Sequence, residues 1–182
     1  MTSPAPLFPR QPVPPLHVDL ASGGSFDIAR EKPANFMLLV FYRGLHCPIC
    51  KTQLKELESK LDEFEQRGVA VVAISSDTKE RASQTGEAWG LTRLRIGYGL
   101  DLAVARRWGL FISSGRGMTS TGVEEPAHFS EPALYLIRPD STRYFGSVQT
   151  MPFARPHFSD ILAAIDYVLK NNYPARGEAT DV

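Results

Sequence analysis

Residues 36–50 read Phe36-Met-Leu-Leu-Val-Phe-Tyr-Arg-Gly-Leu-His-Cys47-Pro-Ile-Cys50. The unbroken apolar run Phe36 to Tyr42 is too short to cross a bilayer. Its lack of polar/apolar alternation marks a central strand buried on both faces. One short turn later, Arg43 to His46, a cysteine pair opens a helix. The apolar positions Cys50, Leu54, Leu57, Leu61 and Phe64 then follow at spacings of three and four, which predicts a helix from about Pro48 to Gln66. Pro48 suits its first turn and Gly68 the residue just past its end. A helix N-terminus presents unpaired N–H groups and partial positive charge, and both favour a thiolate. Thiols so placed titrate at roughly 3.5–7.5 instead of near 8.5. Arg43, and His46 if protonated, would add to the shift. Cys50 shares its face with Leu54, Leu57 and Leu61 and so points to the core. Cys47 precedes the helix proper and is expected to be the more exposed sulfur. It is the natural attacker, with Cys50 resolving the product.

Around this segment the chain alternates strands and helices. Val18 and Leu20, then Gly23-Gly24, then Phe26 and Ile28 predict a β-hairpin. Val69 to Ser75 reads as a second buried strand, Thr78 to Trp89 as a helix, Leu94 to Tyr98 as a short strand, and Asp101 to Trp108 as a helix capped by Asp101. Residues 113–130 are rich in Gly, Ser and Thr without periodicity, which suggests a functional loop or inserted flap. Ala133 to Arg138 and Arg143 to Val148 flank the turn residues Pro139-Asp140-Ser141. A final amphipathic helix carries Phe158, Ile161, Leu162, Ile165, Val168 and Leu169 on one stripe. The order implies an α/β fold with a central mixed sheet flanked by helices and an N-terminal β-hairpin extension. Three regions are expected: a Pro-rich extended arm over residues 1–16, a domain over 17–170, and a loose polar tail over 171–182.

The bulk numbers exclude several classes of function. The chain has 182 residues, 43% hydrophobic and 22% charged, enough for one domain with a sizeable core. Lys plus Arg equals Asp plus Glu, so neither a nucleic-acid partner nor a polyanion is expected. Met1 to Arg10 lacks the basic start and apolar run of a signal peptide, and no segment is long enough to span a membrane. A cytoplasmic location is the expectation. Two cysteines three residues apart are no disulfide framework. Structural zinc wants four ligands; there is no second cysteine pair, and His17, His128 and His157 form no spaced pair. Trp89, Trp108 and Phe111 are expected to be packing residues, and Glu124 and Glu125 solvated loop charges.

Taken together, Leu39-Val-Phe-Tyr-Arg-Gly-Leu-His-Cys-Pro-Ile-Cys50, Gln149-Thr-Met-Pro-Phe-Ala-Arg-Pro156 and Tyr173-Pro-Ala-Arg-Gly177 resemble the peroxiredoxin-like branch of the AhpC/TSA proteins, in the thioredoxin superfamily. The resemblance runs from about residue 17 to 177, and the cysteine segment is its specific part. It implies a thioredoxin-like fold. Two templates share one register. Thioredoxins place an aromatic residue five before the first cysteine, where Tyr42 stands, and a cis-proline before a later strand, which makes Pro132 the candidate. Typical peroxiredoxins carry P-x-x-x-T-x-x-C, with the last cysteine attacking peroxide. In that register Cys50 is the attacker, Cys47 takes the threonine position and Arg43 the proline position. The peroxiredoxin arginine that precedes the later strand falls at Pro132 and is missing. Arg43 or Arg155 is left to substitute, with a solvated or structural salt-bridge role favoured for Arg155.

The expected function is a thiol oxidoreductase with antioxidant activity, cycling Cys47 and Cys50 between dithiol and disulfide. The site residues are Cys47, Cys50, Arg43 and Pro132. The substrate is a peroxide or a disulfide, and an external thiol reductant, such as a thioredoxin or glutathione system, regenerates the pair. No organic cofactor or metal is called for. Peroxiredoxin-like proteins often form dimers, so the resemblance implies a homodimer as the candidate assembly. Two alternatives stay open: a thioredoxin-like protein disulfide reductase, and a non-enzymatic module in which the pair only senses oxidation.

Overall fold

The computed structural model describes residues 5–181. Residues 1–4 of the Pro-rich arm and Val182 of the tail lie outside the described residues. Strand β3 (Phe36–Phe41) is buried along its whole length. Successive side chains on a strand point to opposite faces. Phe36, Leu38 and Val40 therefore feed one core, and Met37, Leu39 and Phe41 the other. On one side β3 pairs in parallel with β4 (Val69–Ile74), which pairs in parallel with β5 (Ile96–Tyr98). On the other it pairs antiparallel with β8 (Ala133–Ile137), followed by β9 (Arg143–Val148). The hairpin of β1 (His17–Leu20) and β2 (Ser25–Asp27) adds to the β5 edge, which completes a seven-stranded mixed sheet in the order β2-β1-β5-β4-β3-β8-β9. Gly23 and Gly24 both take positive φ in that hairpin turn, a conformation open to residues without Cβ.

The helices divide between the two faces. Helix α1 (Pro48–Ser59), α2 (Leu61–Gln66), α3 (Lys79–Trp89) and α5 (Phe158–Asn171) contribute Leu54, Phe64, Ala82 and Ile165 to the first core. Helix α4 (Leu102–Arg107) contributes Ala105 to the second, where Trp108, Phe26 and Leu16 join it. The expected Asp101 cap is present, Gly68 follows the end of α2 with a left-handed φ of 66°, and α3 has a glycine end of its own. The Asp101 side chain accepts from Ala103 and Val104 N–H, and Gly90 ends α3 in the left-handed conformation.

Three expectations need correction. The helix predicted over Pro48 to Gln66 breaks at Lys60, whose φ of −109° and ψ of 6° leave the helical region. Phe64 is buried, yet Leu61 is only partly so, because the break turns it off the stripe. The predicted loop over 113–130 contains a two-stranded sheet of β6 (Ile112–Ser114) and β7 (His128–Ser130), anchored by buried Phe129. The tail past Asn171 is tied down. Tyr144 Oη donates to the Tyr173 carbonyl at 3.0 Å, and the Arg10 guanidinium donates twice to the Ala175 carbonyl. Arg10, Gln11 and Val13 of the arm also exchange backbone hydrogen bonds with residues 141–143.

Candidate active site

The turn between β3 and α1 is clamped from the loop that follows β4. Gly44 has φ +135° and lies flat against the Asp77 carboxylate; a Cβ there would sit 2.6 Å from Oδ2. The adjacent Leu45 N–H donates to Asp77 Oδ2 at 2.7 Å. Arg81 holds the other oxygen at 2.8 Å. Cys47 N–H closes the turn on the Gly44 carbonyl at 3.1 Å. His46 is fully buried. Its ring lies 4.6 Å from the Phe129 ring, and Arg81 Nη2 donates to its Nδ1 at 3.5 Å. Burial first, and then the Arg43 charge, push its pKa down to about 4. It is neutral near pH 7 and lends no positive charge to Cys47, contrary to the option that a protonated ring tunes the thiol.

Both cysteines are free thiols. Cys47 is the N-cap of α1, and its sulfur accepts the Cys50 N–H at 3.3 Å. Cys50 Sγ accepts the Arg43 backbone N–H at 3.4 Å. Cys47 is 1% exposed and Cys50 0%, so both sulfurs are buried and exposure hardly separates them. The asymmetry between the sulfurs is one of charge. A hydrogen bond from the Cys50 thiol, with the Cys50 N–H and the charges of Arg155 and Arg43 behind it, lowers the Cys47 pKa to about 6 against the opposing pull of burial. Burial, and then the neighbouring Cys47 sulfur, push Cys50 well up. The two sulfurs titrate as a coupled pair, with ionisation favoured at Cys47 and disfavoured at Cys50.

Two guanidinium groups approach this pair. Arg43 places Nε 3.3 Å from Glu131 and Nη2 3.4 Å from Glu125, and its head stacks on Phe129 with 4.7 Å to the ring centroid. Glu125 also accepts the Arg116 N–H at 2.7 Å. It is therefore a bound partner and not the solvated charge expected. Arg155 arrives from the segment between β9 and α5. Its Nη2 lies 3.2 Å from Cys50 Sγ and 3.8 Å from Cys47 Sγ. Its Nε donates to the Pro152 carbonyl at 2.7 Å, and its Nη1 to Gln53 Oε1. None of these partners is a carboxylate, so the expected salt-bridge role for Arg155 is replaced by contact with both sulfurs.

The structure places Cys47 and Cys50 beside the Arg43 main chain, with Pro132 lining a cavity next to Arg155. The cis expectation for Pro132 fails: among the described residues no peptide bond is cis. Its carbonyl accepts the Gln149 N–H at 2.9 Å, which continues the β8–β9 ladder. Pro132 is a trans residue at a strand start, where a missing N–H costs no ladder bond. It lines a small cavity with Phe41, Gln53 and Arg155. Sequence reasoning missed Gln53, Asp77, Arg81 and Glu131. Gln53 had a signal, a polar residue within the apolar stripe of α1, three after Cys50. Asp77 had a weaker one, its place just past the carboxyl end of a buried parallel strand, where α/β proteins bind ligands.

A model of the AhpC/TSA family matches residues 9–142. The chain belongs to the AhpC/TSA family. No curated protein matches it in sequence. Solved structures match the AhpC/TSA fold along most of the chain. Reduced 2-Cys peroxiredoxin of Plasmodium vivax is 18% identical at a TM-score of 0.72, covering 97% of this chain and 92% of that one. Peroxidoxin BcpB of Mycobacterium tuberculosis is 16% identical at 0.69, covering 89% and 98%. Reduced Prx3 of Vibrio vulnificus, in complex with hydrogen peroxide, is 15% identical at 0.68, covering 87% and 99%. At these identities the likeness is one of fold, and it agrees with the thioredoxin-like α/β architecture expected from the sequence. AhpC/TSA membership supports a thiol-dependent oxidoreductase of antioxidant type. Among the described residues no helix is long and apolar enough to cross a membrane.

Proposed function

We propose that this AhpC/TSA protein reduces small hydroperoxides by cycling Cys47 and Cys50 between dithiol and disulfide. The observation that carries the reading is the carboxylate-free guanidinium of Arg155, within hydrogen-bonding reach of both sulfurs. A fixed cation there favours a thiolate and stabilises the negative charge that develops on a breaking O–O bond. In the first step the Cys47 thiolate attacks one peroxide oxygen. The O–O bond breaks, the leaving oxygen takes the Cys50 proton, and Cys47 becomes a sulfenic acid. In the second step the Cys50 thiolate attacks the Cys47 sulfur. The S–S bond forms, and the departing hydroxide leaves as water with a proton from solvent. An external thiol then returns two electrons. Free thiols at rest suit a reducing compartment such as the cytoplasm.

Burial favours a peroxide over a protein disulfide as oxidant, since two sulfurs at most 1% exposed admit a small molecule more readily than a folded partner. The disulfide-reductase reading keeps one observation of its own: a low-pKa Cys47 hydrogen-bonded by Cys50 is equally suited to disulfide exchange. Stopped-flow fluorescence separates the two, because Trp89 packs on Tyr42 at 6.2 Å, just ahead of the cysteine turn. Fast oxidation by hydrogen peroxide with slow reduction of insulin disulfides is the expected result, and the reverse ranking overturns the proposal. Cys47→Ser should abolish peroxide consumption. Cys50→Ser should allow one turnover, ending in a sulfenic acid that dimedone traps. If Cys47→Ser retains the fast step, Cys50 is the attacker. A protein oxidised once, with no turnover in excess dithiothreitol, is a sensor.

A further inference from the structure

Deepening that reading, we infer that Gln53 is a positioning residue that holds the Arg155 guanidinium in place while leaving its charge free to act on the sulfurs. Arg155 has five N–H donors and no acceptor. Nε is taken by the Pro152 carbonyl and Nη1 by Gln53 Oε1, and Nη2 alone reaches the cysteines. Two anchors in the guanidinium plane fix where the third nitrogen points. Both are neutral carbonyl oxygens. An amide accepts the hydrogen bond without cancelling the cation, whereas a carboxylate would form an ion pair, as Glu125 and Glu131 do with Arg43.

Placement supports the role. Gln53 and Cys50 are three residues apart on α1 and share its buried face with Leu54 and Leu57. A long polar side chain on that face needs a buried partner, and Arg155 is the one it has. The anchor comes from the same rigid helix that carries Cys50. The guanidinium is thereby set relative to the sulfurs through α1, although Arg155 itself belongs to an irregular segment whose preceding residue, Ala154, has a left-handed φ of 60°.

The test is the pH dependence of Cys47 alkylation by iodoacetamide, read by mass spectrometry on the full chain, beside peroxide consumption. Gln53→Glu is nearly isosteric and turns the anchor into a counter-ion. It should raise the alkylation midpoint by about one unit, so that peroxide reduction at pH 6 falls about fivefold and recovers above pH 8. Gln53→Leu keeps the packing, removes the anchor and leaves the cation, and should raise the midpoint by less. A merely structural role predicts equal effects for the two variants and loss of activity that no pH restores. Coincident wild-type and Gln53→Glu profiles overturn the inference. Should Gln53→Glu not fold, a Gln53→Leu midpoint equal to that of wild type overturns it, and a raised one supports it. The underlying reading fails separately, in the wild-type protein, if that protein alkylates like free cysteine or ignores peroxide.

Discussion

Arg43 and Arg155 both lend positive charge to the cysteine pair, and their surroundings differ in charge. Arg43 is sandwiched between Glu125 and Glu131, with its plane on Phe129. Arg155 is held by a main-chain carbonyl and an amide. A buried cation with two carboxylates is an element of structure: its field is cancelled nearby, and removing it strands two acids. A cation with only neutral partners keeps its field for whatever else is close, here two thiols. Residue type and distance alone do not distinguish these roles; the charge of the other partners does.

The largest test of this contrast is Arg155→Met. Loss of the uncancelled cation should lower the rate of peroxide reduction by about a hundredfold or more and move the Cys47 alkylation midpoint upward, with a denaturation midpoint close to that of wild type. A tenfold or smaller rate loss would place the functional cation elsewhere. Arg43→Met should do the opposite. It leaves the buried carboxylates of Glu125 and Glu131 without their counter-ion, which costs about 3 kcal/mol in urea unfolding, while peroxide reduction changes only a fewfold. Adding Glu131→Gln should recover part of that stability, as coupled sites do. A smaller effect sits behind Arg43. His46 is neutral in the fold, with a pKa near 4 against an ordinary 6.5. The unfolded chain binds the extra proton first. Stability is therefore full above pH 6.5 and is lost as pH falls toward 4, by about 2 kcal/mol. Urea midpoints at pH 7.5, 5.5 and 4.5 should show this fall, and His46→Gln should flatten it.

Much of this was legible locally. Strand β3, the opening of α1 and the cysteine pair lie within fifteen consecutive residues, and hydrophobic pattern, Pro48 and spacing all agree there. The break at Lys60 left no trace, because apolar spacing continues across it. Strands β6 and β7 are three residues each, too short for periodicity to register. Pro132 before a strand reads the same whether its bond is cis or trans. Arg155 is the informative case: the sequence offers it as a stand-in for the missing arginine and favours the wrong role for it. It stands more than a hundred positions from the cysteines it touches, and whether a guanidinium faces a sulfur or a carboxylate depends on which segments the sheet order brings together. Burial of Cys47 is nonlocal in the same way.

Cys47 occupies the cap position of α1, where its sulfur accepts the Cys50 N–H. A negative sulfur is a strong acceptor at the positive end of a helix, and a sulfur bonded to a second sulfur is a weak one. Joining the pair therefore discharges the atom that fastens the opening coil of α1. On the proposed cycle, the event that stores the two electrons would also loosen the segment around them, so the spent form would be the one whose bond an incoming thiol reaches most easily.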